Sequence, residues 1–270
     1  MSELVTARGD RVVYDRHGTG PGLVFVAGAG PHRATDPVTT ATARAMPGVT
    51  TVVYDRLGRG ESTADGAVGL DRELAALAAL IDEVGGSAVL CGHSSGCSIA
   101  LRAAVAGLPV TGLALWEAPI AGDVAQTLAW TDEFLHLLDA GELERARVHY
   151  MRDMPAEWLE AARSSSDWPE VVAQTGSLRA DAESIAWAVS APARELFGGI
   201  DVPVLAMAGT ETFEEMVESS ALLADAIPGA REVRVPGAFH TWEPEAMART
   251  LSELVAAVAG VATPGGDGRG

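Results

Sequence analysis

The feature that most constrains this chain is the pentapeptide Gly92-His93-Ser94-Ser95-Gly96. It matches the pattern G-x-S-x-G and lies between an apolar run typical of a buried strand, Ala88–Cys91, and a segment with helical spacing, 95–106. A sharp strand-to-helix turn of this kind presents the serine hydroxyl at the edge of a sheet, and the glycines leave room for it. The alternative is that Ser94 only caps the following helix, a common use of serine.

Apolar runs and helical segments alternate along most of the chain. Repeated strand–helix–strand units predict a parallel sheet with helices on both faces. Two short β-rich runs at the start, Glu3–Ala7 and Arg11–Asp15, predict an antiparallel pair. The predicted parallel strands are Leu23–Ala27, Thr50–Tyr54, Ala88–Cys91, Gly112–Trp116, Pro203–Ala208 and Glu232–Val235, and the predicted helices between and after them are 36–46, 71–84, 95–106, 214–226 and 244–258.

The alternation of predicted strands and helices stops between residues 121 and 199. This interval has helical apolar spacing but no convincing strand, which predicts an inserted helical cap. The predicted organisation is therefore a core of residues 1–120 and 200–260, a cap of residues 121–199, and a disordered Gly- and Pro-rich tail of residues 261–270. Four tryptophans fall in the interval, and they either pack the cap or line a pocket: Trp130, Trp158, Trp168 and Trp187.

Two remote segments supply groups that a nucleophilic serine needs. The apolar strand Leu23–Ala27 runs into a Gly-rich loop, which can direct a backbone N–H toward the reaction centre. The segment Gly237-Ala-Phe-His240 follows the last predicted strand and precedes the last helix. A histidine at that place can reach Ser94, and we therefore expect His240 to act as its base.

With these segments the chain resembles the serine hydrolases of the α/β-hydrolase fold, the broad esterase, lipase and C–C hydrolase superfamily. The stretch 54–62, with the sequence YDRLGRGES, is similar to the family's D-x-x-G-x-G-x-S loop, and the stretch 240–245, with the sequence HTWEPE, is similar to its histidine and following helix start. The resemblance implies a mostly parallel central sheet flanked by helices, Ser94 as nucleophile and His240 as base. It also implies an oxyanion hole made by the backbone N–H groups of Ala29 and Ser95. The chain departs from the family at Ala27-Gly28, where His-Gly is common.

The acid of the triad is not fixed by the resemblance. The family's usual Asp position is occupied by Thr212, three residues beyond Gly209. A variant of the fold places the acid after the strand that follows the nucleophile's helix, and Glu117 stands there in this chain. We favour Glu117 because a carboxylate at the end of a buried strand needs a partner. The alternatives are Glu211 and Glu214.

Composition excludes several other classes. The net charge of −18 disfavours nucleic acids and anionic membrane surfaces as partners. The start does not resemble a signal peptide, and no apolar stretch approaches the about 18 residues of a membrane span, so a cytoplasmic location is expected. Cys91 and Cys97 are too few for a disulfide framework and are expected to be small buried residues. No zinc, calcium or nucleotide pattern is evident, so we expect neither metal nor cofactor.

The sequence therefore predicts a cofactor-independent hydrolase of an ester, lactone or thioester with an apolar portion. Hydrolytic C–C cleavage is a variant of the same chemistry. Elimination, cyclisation or perhydrolysis in the same cleft and a catalytically silent binding protein remain as alternatives, because the fold does not fix the reaction. The oligomeric state is left open.

Overall fold

The central sheet has nine strands in the order β1-β2-β4-β3-β5-β6-β7-β8-β9 in a computed structural model that describes residues 1–261. The strands from β4 through β3, β5, β6 and β7 to β8 are parallel neighbours, whereas β1, β2 and β9 pair antiparallel. The α/β fold and the mostly parallel sheet are thus confirmed. The strands are β1 Ser2–Val5, β2 Arg11–His17, β3 Gly22–Val26, β4 Thr50–Tyr54, β5 Ala88–His93, β6 Val110–Trp116, β7 Val204–Glu211, β8 Arg231–Ala238 and β9 Thr241–Trp242.

Helices cover both faces of the sheet. Because side chains alternate along a strand, Leu23 and Phe25 of β3 face one helical layer and Val24 and Val26 face the other. The first layer contains α1 and α11, and the second contains α2, α3 and α10. The helices are α1 Pro37–Arg44, α2 Leu70–Glu83, α3 Ser95–Val105, α4 Val124–Asp139, α5 Leu143–Tyr150, α6 Ala156–Ser164, α7 Trp168–Ala173, α8 Arg179–Ala188, α9 Ala193–Phe197, α10 Glu214–Ala226 and α11 Pro244–Val261, with short 3-10 helices at Arg33–Thr35 and Gln174–Leu178.

We call residues 121–199 the helical insert. Within the described part of the chain this segment forms the helices α4 to α9 and no strand. It has an apolar cluster of its own, built on Phe134, Leu137 and Tyr150. Its helix α8 packs against α3, and Ala188 of α8 belongs to the main core. The division into a separate core and cap domain stays a prediction, and the predicted tail of residues 261–270 lies, apart from the last residue of α11, outside the described residues.

The four tryptophans of the insert have different surroundings. Trp130 stacks on Phe134 and donates a hydrogen bond from Nε1 to the His149 carbonyl. Trp187 packs edge to face on Phe197, and the Arg102 guanidinium lies over its ring. The other two are half-buried: Trp158 lies near Phe213, and Trp168 lies beneath Arg163. Three of the four tryptophans therefore pack against helices. The fourth, Trp158, lies beside Phe213 and joins the insert to the start of α10.

The end of the sheet contains an element that the sequence did not predict. β8 continues past Val235 to Ala238, and Ala238 pairs with Thr241 of β9. The two residues between them, Phe239 and His240, have φ values of 51° and 66°. A two-residue hairpin loop with positive φ at both positions is usually made by Asn-Gly or a similar pair, so Phe-His gave no sequence signal for a turn.

Two ring N–H groups hold this hairpin against the strands beside it. His93 at the end of β5 donates from Nε2 to the His240 carbonyl at 3.0 Å, and Trp116 at the end of β6 donates from Nε1 to the same oxygen at 3.3 Å. Burial, together with the nearby His240, lowers the pKa of His93 to about 3. His93 is therefore a neutral hydrogen-bond donor at neutral pH.

Among the helices of residues 1–261, none combines the length and apolar character that crossing a membrane requires.

The neutral His93 makes stability depend on pH. An unfolded histidine takes up a proton as the pH falls through about 6.5, whereas folded His93 stays neutral down to about 3. The unfolded state binds more protons in this window, so the free energy of unfolding falls as the pH falls, by at most about 1.4 kcal/mol per unit for this residue. We expect His93→Gln, which keeps an N–H donor, to show a shallower fall between pH 6.5 and 4 in urea titrations. The exposed His136→Gln is the control, and equal slopes for His93→Gln and wild type would contradict the assignment.

Candidate active site

Ser94 stands at the strained turn between β5 and α3. Its φ of 54° and ψ of −127° lie outside the regions that most non-glycine residues adopt. Its N–H donates to the Trp116 carbonyl at 2.9 Å, which anchors the turn to β6. Its hydroxyl makes no capping hydrogen bond to α3. The half-buried side chain is thus held at the carboxyl edge of the sheet, and the role of a helix cap is wrong.

The two glycines of the motif are required by close backbone contacts. A Cβ at Gly92 would lie 2.6 Å from Cα of Cys97, and one at Gly96 would lie 2.1 Å from the Val26 carbonyl oxygen. Cys97 and the nearby Cys91 are free and buried, as expected from the sequence. The turn therefore packs directly against the end of β3, where the Gly-rich loop begins.

Two backbone amides near the serine have no partner within residues 1–261, one in that loop and one at the start of α3. A Cβ at Gly28 would lie 2.9 Å from Cβ of Ser94, so the loop is in contact with the turn. The N–H groups of Ala29 and Ser95 donate no hydrogen bond to any other group in the described chain. Ser95 is also the first residue of α3, where amides are unpaired and the helix dipole favours negative charge. Both amides are available to an anionic oxygen.

Glu117 and His240 meet at the same edge. Glu117 follows β6, its carboxylate is fully buried, and Oε2 lies 2.5 Å from Nδ1 of His240. Its other oxygen, Oε1, accepts from the N–H of Gly209 at 2.9 Å. The His240 side chain is 21% exposed. Since Nδ1 is hydrogen-bonded to the Glu117 carboxylate, Nε2 is the ring nitrogen left for a reacting group.

The carboxylate of Glu117 is ionised at neutral pH. Burial raises the pKa of this carboxyl, but its interactions with His240, Thr212 and the N–H of Gly209 together lower it further than burial raises it. The Thr212 hydroxyl contributes to this lowering without a hydrogen bond of normal geometry. The net result is a pKa of Glu117 below its usual value.

The other candidate acids are in different positions. Glu211 and Glu214 are exposed, and neither forms an ion pair or hydrogen bond with His240. Thr212 stands at the family's usual acid position and faces the Glu117 carboxylate. Of the three glutamates considered from the sequence, Glu117 alone is joined to the imidazole.

The Ser94 hydroxyl and the His240 imidazole are not hydrogen-bonded to each other. Among the hydrogen bonds of residues 1–261, none joins the Ser94 hydroxyl to His240. The His93 and His240 rings are 4.9 Å apart between centroids, so the hairpin lies against the end of β5 next to Ser94. Catalytic hydrogen bonds of this kind are commonly long without substrate and shorten in the complex.

Buried charged residues that were not among the site residues predicted from the sequence lie next to the Ala29 and Ser95 amides. The side chains of Arg56 and Arg59, from the loop after β4, and of Asp181, from α8, are fully buried and paired with one another. Both arginines stand inside the stretch 54–62, where Arg59 is flanked by Gly58 and Gly60. No sequence signal pointed to Asp181. By contrast, His32 contacts Thr35 in its own loop.

A cavity lies away from these residues. It has a volume of about 560 Å³ and is lined by the two ends of the helical insert, including Ile120, Val124, Val189 and Pro192. Neither Ser94 nor His240 lines it.

The model of the alpha/beta hydrolase family matches residues 23–259. Among solved structures, an alpha/beta hydrolase from Sphaerobacter thermophilus is 31% identical, with a TM-score of 0.79 over 94% of this chain and 99% of that one. No curated protein sequence matches the chain.

Two more distant structures have the same fold. An esterase from Thermogutta terrifontis is 21% identical, with a TM-score of 0.71 over 95% of this chain and 98% of that one. An enol-lactonase from Burkholderia xenovorans is 20% identical, with a TM-score of 0.58 over 97% of this chain and 100% of that one. On the family match and the first of these structures, the chain belongs to the alpha/beta hydrolase family.

Proposed function

We propose that this chain is a serine hydrolase that cleaves a carboxylic ester, lactone or thioester of a small to medium apolar substrate. Ser94 is the nucleophile, His240 the general base and Glu117 the acid that orients it. The backbone N–H groups of Ala29 and Ser95 form the oxyanion hole. The reaction passes through an acyl-enzyme on Ser94 and needs no cofactor.

The observation that carries the proposal is the 2.5 Å contact between Oε2 of the buried Glu117 and Nδ1 of His240. An ionised carboxylate at this place fixes the imidazole tautomer, so that the proton is on Nδ1 and Nε2 can accept one. It also stabilises the imidazolium that forms when the serine is deprotonated.

In the first half of the reaction, His240 Nε2 takes the hydroxyl proton as Ser94 Oγ attacks the carbonyl carbon. The carbonyl electrons move to its oxygen, which the two amides stabilise as an oxyanion. The intermediate then collapses, the bond to the leaving group breaks, and His240 returns the proton to the alcohol or thiol. Ser94 is left as an acyl ester.

In the second half, water replaces the alcohol. His240 removes a proton from the water as it attacks the acyl carbon, and the second oxyanion forms in the same place. Collapse breaks the bond to Ser94 Oγ, which takes the proton back from His240. The carboxylic acid leaves with one oxygen derived from water.

The apolar side chains packed around Ala29 support an apolar substrate. Ala29, beside the nucleophile, packs against the insert's apolar cluster of Phe134 and Tyr150 with Trp130 and Met154 at its edge. The esterase and the enol-lactonase with the same fold act on the bond class proposed here, as their descriptions say. The choice among esters, lactones and thioesters is left to assay.

The nucleophile can be tested with a fluorophosphonate probe and nitrophenyl esters of graded acyl length. We expect the probe to label wild type and the esters to be hydrolysed, with one ¹⁸O entering the acid when the reaction is run in H₂¹⁸O. Ser94→Ala should abolish both labelling and turnover. The exposed Ser166→Ala is the matched control and should retain both. Absence of labelling of wild type beside a reactive esterase would instead favour a catalytically silent binding protein.

The acid can be tested by amide substitution. Because Glu117 alone is bonded to the imidazole, we expect Glu117→Gln to lower kcat by about 10⁴-fold through the wrong tautomer and the lost charge. Glu211→Gln and Glu214→Gln change exposed carboxylates and should leave kcat close to that of wild type. Steady-state kinetics on one nitrophenyl ester compare the three variants. The reverse ranking would place the acid at the family's usual position after β7.

A further inference from the structure

A buried charged cluster lies between the helical insert and the sheet. Asp181 of α8 accepts from Arg56 Nη1 and from Arg59 Nη2, each at 2.6 Å, and Arg56 lies 3.3 Å from Glu73 of α2. All four side chains are fully buried. Removing so many charges from water is expensive, and well-packed apolar residues often give equal or greater stability. Stability alone therefore does not account for this cluster.

The two arginines also bind the loop that carries Ala29. Arg59 Nη1 donates to the Gly28 carbonyl at 2.5 Å, and Arg56 Nη1 donates to the Ala27 carbonyl at 3.1 Å. The Gly28 carbonyl and the Ala29 N–H belong to one peptide unit. Because that unit is planar and trans, its N–H points away from its carbonyl. Arg59 therefore fixes the direction of the Ala29 N–H.

The same carboxylate reaches the second amide. Asp181 Oδ1 accepts from the Ser95 hydroxyl at 2.6 Å, and Ser95 carries the other unpaired N–H. Burial raises the pKa of Asp181, but Arg56 and Arg59 lower it by more, so the carboxylate is charged at neutral pH. One ionised group on the insert is thus connected to Ala29 through Arg59 and to Ser95 directly.

We propose that Arg59 and Asp181 are positioning residues for the oxyanion hole: Asp181 holds the Arg59 guanidinium, and Arg59 holds the Gly28–Ala29 peptide with its N–H toward Ser94. The helical insert then supplies part of the catalytic geometry without touching substrate. The proposal rests on the function proposed above for Ala29 and Ser94.

The kinetic test uses Asp181→Asn, which keeps the volume and removes the charge, and Arg59→Lys, which keeps the charge and removes the two-pronged donor. A misdirected amide weakens binding of the transition state more than that of the substrate. We expect kcat on a nitrophenyl ester to fall by about 10²-fold, as for loss of one oxyanion-hole donor, with KM nearly unchanged. Affinity for a boronic acid, a mimic of the tetrahedral intermediate, should fall with kcat. Arg72→Lys, in the separate pair with Asp10, is the control and should retain both values.

Crystal structures of the same variants provide a readout that does not depend on activity. We expect the Gly28–Ala29 peptide to be rotated in Arg59→Lys and Asp181→Asn and to be unchanged in Arg72→Lys. If the peptide rotates while wild type hydrolyses no ester, the positioning inference stands and the proposed function fails. Folded variants with an unrotated peptide and a wild-type kcat would overturn the inference.

A milder variant covers the case in which these two do not fold. Ser95→Ala removes one hydrogen bond to Asp181 and leaves both ion pairs and the Ser95 N–H in place. We expect it to lower kcat by about fivefold with an unchanged KM, the effect of one hydrogen bond. An increase in KM with unchanged kcat would instead assign the Asp181 contact to substrate binding and contradict the proposal.

Discussion

The hydrogen bond between the Glu117 carboxylate and Nδ1 of His240 is the interaction on which the site depends. A buried carboxylate without a partner is costly, so the bond stabilises the end of β6 and fixes the hairpin between β8 and β9 at once. The hairpin is also held from the other side, where His93 and Trp116 donate to the carbonyl of His240. His240 is thus held by one hydrogen bond to its ring and by two to its backbone carbonyl.

Backbone strain is concentrated at the same place. The non-glycine residues with positive φ in the described chain are Ser94, Glu117, Phe239 and His240, with φ between 50° and 66°. Each such residue costs about 1–3 kcal/mol and persists only where the surroundings determine it. Phe239 is 81% exposed, so packing of its ring does not offset that cost. Strain at the three proposed triad residues is the pattern expected of a functional site rather than of an accident of one loop.

The features that could be predicted from the sequence are those set by residues close together along the chain. Strand and helix positions were predictable because periodicity is local, and the turn at Ser94 was predictable because its glycines stand beside it. The hairpin at His240 was not, since Phe-His is an unusual pair for its φ values. The Asp181 cluster was also missed, because its bonds join residues more than 80 positions apart. The preference for Glu117 rested on one physical rule, the need of a buried charge for a partner, and its carboxylate does contact His240.

The charged cluster also bears on how the helical insert relates to the core. Moving α8 away from the sheet would leave Arg56 and Arg59 buried with one acidic partner between them, and breaking a buried ion pair in this way costs about 3–5 kcal/mol. Helix α8 also packs against α3, which starts at the nucleophile turn. Energetically α8 therefore belongs with the central sheet and its helices. The apolar cluster around Phe134 and Tyr150 includes Ala182 of α8, and Ala29 packs against it, so this cluster and the Ala29 loop share one support.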